Sequence, residues 1–370
     1  MRILIATGIY PPSIGGPATY SKILFQELPK RGISVRVLSF DEVRHLPKVI
    51  RHFSYFLKAI YYALGCDIIY AQDPVSVGLP SLFAAKILRK RFFLKIVGDY
   101  AWEQGVQRFG VADLLDIFSK KRRGHYRIFI RILIRLEEIV ARQADKIITP
   151  SNYLANILRL WGVNQNKISV IGNAFEQVSD EMVQGNSLMD SRDKNIVSIG
   201  RLVPWKGFEI LIEIIPNLLK KFPDLKLFII GDGPDRELLK RKIRKLELFQ
   251  NVFLLGKMPR KKLFQYLEKA DLFVLNTGYE GFSHQILETL ALGVPVVTTD
   301  VGGNPEIIKS GENGLLVPYN DTSALFEAIN KMLSDADFAR ECSLSGKKTS
   351  ETFTVNKMVN ALVKEISQYA

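Results

Sequence analysis

Short apolar runs alternate with longer amphipathic stretches through the first half of the chain. Arg2–Thr7, Val35–Ser39, Ile68–Ala71, Phe92–Val97, Lys146–Thr149 and Ile168–Ile171 are nearly continuous in apolar residues, the pattern of strands buried on both faces. Between them, Ala18–Arg31 and Val77–Lys90 repeat apolar residues at helical spacing. Strand and helix in alternation predict βα units around a parallel sheet. The rhythm breaks at Gln177–Asn195, a polar stretch that reads as a linker. It resumes with Ile196–Ile199, Leu225–Ile230, Val252–Leu255, Leu272–Leu275, Val294–Thr298 and Gly314–Val317. The pattern therefore predicts an α/β chain of two doubly wound, Rossmann-like domains, residues 1–175 and 176–350. A last amphipathic helix, Val355–Tyr369 within residues 351–370, is expected to pack back on the first domain. Ligands of such sheets sit beyond the carboxyl ends of the strands, which puts the expected site in an interdomain cleft.

Composition narrows the class. With 370 residues, 47% hydrophobic and 24% charged, the chain is globular, not disordered. Its start runs directly into Pro11-Pro12 and reads as a buried strand, not a signal segment. No stretch reaches the length of a membrane span. Cys66 and Cys342 have no metal or redox spacing, so a reducing, cytoplasmic setting is expected. The net charge is +13, and its placement matters more than its size. Residues 1–175 hold 26 Lys and Arg against 12 Asp and Glu, while the rest is nearly balanced. Nucleic acid, anionic lipid and an acidic substrate all fit that excess. It concentrates in Arg44–Tyr62 and Lys120–Arg142. In the second stretch Arg127, Arg131 and Arg135 share a helix face beside Ile130, Leu133 and Ile134. That face is either solvated or interfacial on an anionic membrane.

Candidate chemistry lies in the loops after strands. Gly15-Gly16-Pro17 opens the first helix, where glycine admits a close approach and free amides face an anion; a plain tight turn explains it equally. Arg201 and Lys206, in Gly200–Gly207, offer a guanidinium fork and a point charge for a diphosphate without a metal, or are solvated surface cations. Gly231-Asp232-Gly233 permits close approach of a ligand, or is a turn. The richest segment runs from Asn276 to Val297. Ser283 is placed to cap a helix there, with Glu280 before it and Glu288 more than a turn inside. At about 1.5 Å rise per residue the two carboxylates stand too far apart for one acid/base pair. They suit two polyhydroxylated groups, each donating hydroxyls to a carboxylate. Thr299–Ile308 adds another glycine loop on the same sheet edge.

In this order and spacing these segments resemble glycosyltransferase family 4, of the GT-B fold, over essentially the whole chain. YEGFSHQILE matches the E-x7-E element, ALGVPVVTTDVGGNPEII the run through its glycine loop, GRLVPWKG the donor-phosphate segment, and YPPSIGGPATY the amino-terminal loop. The resemblance implies a retaining, hexosyltransferase-type enzyme using a nucleotide-diphosphate sugar (UDP-, GDP- or ADP-sugar), with no bound cofactor and no metal. It implies that Arg201 and Lys206 hold the phosphates and that Glu280, Gly281, Phe282 and Ser283 hold the donor sugar. Glu288 would take the ribose, Gly16 and Gly231 would approach the donor, and Met258 with its neighbours would line the base. A glycan or lipid-linked acceptor follows, in cell-envelope polysaccharide or glycolipid synthesis. The expected setting is the cytoplasm, either free or at the inner face of the membrane through a peripheral contact of the basic first domain with anionic lipid, and no nucleic-acid partner is expected. Two positions depart from the pattern. Asp99 stands where many relatives place a histidine near the reacting centre, and is a catalytic candidate in its stead. His284 stands where a small residue is common, to touch the donor or to cap the helix. The competing classes are a sugar-nucleotide epimerase on the same fold and a basic nucleic-acid-binding protein. The latter gives no reason for Arg201, Lys206, Glu280 and Glu288 to meet. A dinucleotide oxidoreductase is disfavoured because G-x-G-x-x-G is missing.

Overall fold

The computed structural model describes the chain except for residues 14, 123–125, 176–188, 191 and 370. Most of the stretch read as a linker, and part of Lys120–Arg142, therefore lie outside the described residues. The chain divides into two units, residues 1–173 with 355–370 and residues 174–354.

In the first unit, β1 (Arg2–Thr7), β2 (Ser34–Ser39), β3 (Ile68–Ala71), β4 (Arg91–Lys95), β5 (Lys146–Thr149) and β6 (Ile168–Val170) form one parallel sheet ordered β2-β1-β3-β4-β5-β6. Ile3 of β1 pairs with Val35 on one side and Ile68 on the other, so the order reverses at β1/β3. Right-handed crossovers put helix Gly16–Glu27 on one face and helices Lys48–Ala63, Leu79–Leu88 and Ile128–Gln143 on the other. The first helix is shorter than its periodicity predicts. Pro29 cannot continue it, and a tight turn Pro29–Arg31 closes it before the left-handed Gly32. Leu79–Leu88 begins late because Asp73 captures the amides of Val75, Ser76 and Val77 in a wide turn. Helix Val355–Ser367 returns to this unit and buries Met358, Val359, Leu362 and Ile366. Arg31 donates to Asn356 and Asn360, Lys146 pairs with Glu365 at 2.8 Å, and Tyr369 meets Phe93 edge-on.

In the second unit, β7 (Lys194–Ile199), β8 (Leu225–Ile230), β9 (Val252–Gly256), β10 (Leu272–Leu275), β11 (Val296–Thr299) and β12 (Leu315–Val317) form a parallel sheet ordered β12-β11-β10-β7-β8-β9. Its strands are apolar on both faces. Ile196, Leu227, Ile229, Leu272, Val274 and Val297 feed one core. Their neighbours Val197, Phe228, Ile230, Phe273, Leu275 and Val296 feed the other. This is the period of two that a doubly covered sheet requires. The order reverses between β7 and β10, and the carboxyl ends of such a strand pair are where doubly wound sheets bind ligands.

Candidate functional site

The loops leaving β7 and β10 flank this reversal, and the chain ties them together. Asn276 Nδ2 donates to the Gly207 carbonyl at 3.1 Å. The Gly278 amide and the Thr277 hydroxyl both donate to the Trp205 carbonyl. Gly207 sits at φ +54°, and a Cβ there would overlap Asn276. No other residue fits that contact without strain. Lys206 and Glu280, one from each loop, consequently meet in an ion pair in which both side chains are 13% exposed. Arg201, at the head of the β7 loop, is exposed.

The glycines of the neighbouring loops have a use that the sequence did not reveal. A Cβ on Gly231 would overlap the Gly200 carbonyl, and one on Gly233 the Leu202 carbonyl. The Leu202 amide donates to the Asp232 carbonyl at 3.1 Å at the same place. On the far side, Gly302 and Gly303 make the same room for the carbonyls of Glu280 and Gly281, and the Gly303 amide donates to Glu280 O at 2.8 Å. The four loops thus lean on one another in the order of their strands. At Gly231 the space left by the missing side chain is filled by the adjacent loop, a reason for glycine that the sequence expectation of a turn or a ligand approach did not include.

Ser283 caps helix His284–Ala291, its hydroxyl accepting from the Ile286 amide at 3.4 Å. His284 is the first helical residue, not the cap. Gly281, Phe282 and Ser283 are buried, and the Phe282 ring meets Phe353 at 5.3 Å. Glu288, further along the helix, is held by Arg260, whose Nη2 and Nε donate to Oε1 at 2.9 and 3.2 Å. Arg260 begins helix Arg260–Glu268 and lies over Phe264. Met258, two residues earlier, is half-buried against the core that holds Phe282 and Leu287. Sequence reasoning missed Arg260. The available signal was a cation in the first turn of a helix, an unfavourable place against the helix dipole unless a carboxylate meets it.

In the first unit, Gly16 is the exposed first residue of helix Gly16–Glu27. Asp99 is not available to a substrate. It is fully buried, caps helix Tyr100–Phe109 through the Trp102 amide at 2.8 Å, and gives its other oxygen to Arg122 at 2.5 Å. Arg122 is itself enclosed by Glu137, Glu138 and the Trp161 ring. Asp99 therefore serves the fold as a cap and a counter-ion. A second polar group in this unit escaped notice. Lys95, at the end of β4, is 3% exposed, with its ammonium 3.7 Å over the Tyr20 ring and 3.3 Å from Asn173 Oδ1. Burial pulls its pKa down to about 7. Its signal was a lysine directly following the apolar run Phe92–Leu94.

Among the described residues no group of three or more His, Cys, Asp or Glu is placed to hold a metal ion. No helix among them is long and apolar enough to cross a membrane.

Residues 14–176 match the family described as glycosyltransferase family 4, and residues 181–349 match glycosyl transferases group 1. The chain is 26% identical over 348 residues to a chain of the human phosphatidylinositol N-acetylglucosaminyltransferase, covering 90% of this chain and 68% of the human one. It is 29% identical over 226 residues to the Campylobacter jejuni N-acetylgalactosamine-N,N'-diacetylbacillosaminyl-diphospho-undecaprenol 4-alpha-N-acetylgalactosaminyltransferase, covering 60% of each. Anabaena HepE, solved in complex with UDP, aligns over the whole of both chains with a TM-score of 0.73 and 20% identity.

Proposed function

Because the chain belongs to glycosyltransferase family 4, its two halves matching the two family descriptions in succession, we propose that it moves a hexosyl group from a nucleotide-diphosphate sugar to a glycan or lipid-linked acceptor, with retention of anomeric configuration. The observation that carries this reading is the meeting of Lys206 and Glu280 where the sheet order reverses. A cation suited to phosphate and a carboxylate suited to sugar hydroxyls stand together at the place where doubly wound sheets bind ligands.

In the reaction, the bond between the anomeric carbon and the diphosphate oxygen breaks. The acceptor hydroxyl forms the new bond on the same face, and its proton passes to the leaving phosphate oxygen. Arg201 and Lys206 carry the charge that develops on the diphosphate. A diphosphate beside Lys206 draws on its ammonium, and the Glu280 carboxylate turns to the sugar hydroxyls. Glu288, oriented by Arg260, accepts from the ribose, and Met258 with its neighbours lines the base. Catalysis then rests on positioning and leaving-group charge, without a side-chain base.

The names of the human and Campylobacter relatives refer to phosphatidylinositol and an undecaprenol diphosphate. They support a lipid-linked acceptor here, and with it a place of action at a membrane. HepE's UDP makes uracil the first base to try. A thermal-shift panel of UDP-, GDP- and ADP-sugars tests the donor reading. A donor at a hundred times its Kd adds about 2.7 kcal/mol to stability and raises the melting temperature. No shift with any of the three sinks the reading. Sugar appearing on an added acceptor, not as an epimerised donor, separates transfer from epimerisation.

A further inference from the structure

The helices Lys48–Ala63, Leu79–Leu88 and Ile128–Gln143 lie side by side on one face of the first sheet. Their inner rows are ordinary core, such as Tyr55, Ala59 and Ala63 on the first of them. Their outer rows are not ordinary surface. On Lys48–Ala63 the outward residues are Ile50, Phe53, Leu57 and Tyr61, exposed by 53, 61, 50 and 71%. Their spacing of three and four makes one continuous apolar stripe facing away from the core. Leu79–Leu88 adds Phe83 and Ile87, and Ile128–Gln143 adds Ile128, Ile132 and Ile139. A soluble surface helix turns polar residues outward, and apolar patches of this breadth mark contact sites.

Among the described side chains the accessible charged residues on these helices are basic, and Lys58 is paired with Glu42 at 2.6 Å. The only acidic residues on the three helices are Glu137 and Glu138, and both are buried. Arg131 and Arg135 are exposed and, among the described residues, have no ionic partner. With Arg122, Ile134 and Glu138 they line a cavity of about 230 Å³. Lys86 and Arg89 are exposed beside Ile87.

From this juxtaposition we propose that the three-helix face docks on an anionic lipid bilayer. Phe53, Leu57 and Tyr61 enter the headgroup boundary, and Arg131 and Arg135 seat lipid phosphates. Apolar rows flanked by unpaired arginines are what an interfacial helix needs, because it draws on buried apolar area and on attraction to anionic lipid together. A second copy of the chain would bring the same cations against each other. The proposal rests on the lipid-linked acceptor reading for its purpose, but its test does not depend on transfer.

The test is co-sedimentation of the full chain with vesicles of phosphatidylcholine and phosphatidylglycerol, compared with phosphatidylcholine alone. The expected result is binding to the anionic vesicles at low salt, weakening as salt rises. Each of Arg131→Glu and Arg135→Glu should weaken it by about fivefold or more. Phe53→Asp with Leu57→Asp should abolish it, and Phe53→Trp should blue-shift its emission on anionic vesicles only. UDP-sugar binding followed in the same variants reports on the donor site separately, and it should be unchanged. Absence of sedimentation at low salt, or equal sedimentation by the Phe53/Leu57 variant, overturns the proposal. So does a concentration-dependent dimer that this variant abolishes while the wild type ignores vesicles.

Discussion

Lys206 and Glu280 are 74 positions apart in the chain and share one ion pair in the folded protein. If Arg201 and Lys206 carry leaving-group charge, Arg201→Ala and Lys206→Ala should each lower turnover about a hundredfold, read as release of nucleoside diphosphate, while the folding transition persists. Near-normal release in both variants removes them from the chemistry. Arg260→Ala separates a positioning role from a catalytic one. It should raise KM for the donor more than it lowers kcat, because Glu288 loses its orienting partner. Lys95 gives a test at the same scale that concerns only stability. In the fold its ammonium gives up its proton near pH 7 instead of at the ordinary lysine value of 10.5. The unfolded chain therefore binds the extra proton between these limits, and stability rises with pH across that window. Below about 7 the cost of the buried charge is present in full. Lys95→Met should stabilise the fold most at and below pH 7, by on the order of a few kcal/mol, read as a higher melting temperature, and the gain should shrink toward pH 10. A gain that grows with pH contradicts the burial argument. The motif residues were legible because strand, loop and helix cap keep them at fixed spacing. Arg260 and the burial of Asp99 were not, because each depends on a partner far along the chain.

At the scale of elements, strands and their order of appearance were legible from apolar runs, since a sheet covered on both faces admits little else. The mutual support of the loops was not legible, because glycine records only the absence of a side chain. A turn, a ligand approach and a neighbouring backbone all ask for the same residue. The structure distinguishes them at Gly231 and Gly303, where a Cβ would overlap Gly200 and Gly281. Gly231→Ala and Gly303→Ala should therefore lower the stability of residues 174–354 by about 1–3 kcal/mol, measured by thermal melting with no donor added. A role confined to contacting a ligand would leave that melting temperature unchanged and move only KM.

For the molecule as a whole, the chain ends in the unit where it began. Helix Val355–Ser367 buries Met358, Val359, Leu362 and Ile366, and its ends are tied by Arg31, Lys146 and Phe93. Burying such a side chain contributes roughly 1.5–3 kcal/mol, so four of them rival the whole stability of a typical domain. The amphipathic pattern of this segment was visible in the sequence, but the surface it would cover was not, because the pattern gives a face and no address. Ending the chain at Thr354 should therefore damage residues 1–173 alone. Calorimetry of the full chain should resolve a transition that a UDP-sugar raises, if the donor reading is right, and one that it does not. In the truncated chain the second transition should collapse or move down by many degrees, while the first keeps its temperature and its response to donor. Loss of both transitions together would mean that the two units fold as one cooperative body. An unchanged pair would mean that the last helix contributes nothing to the core it covers.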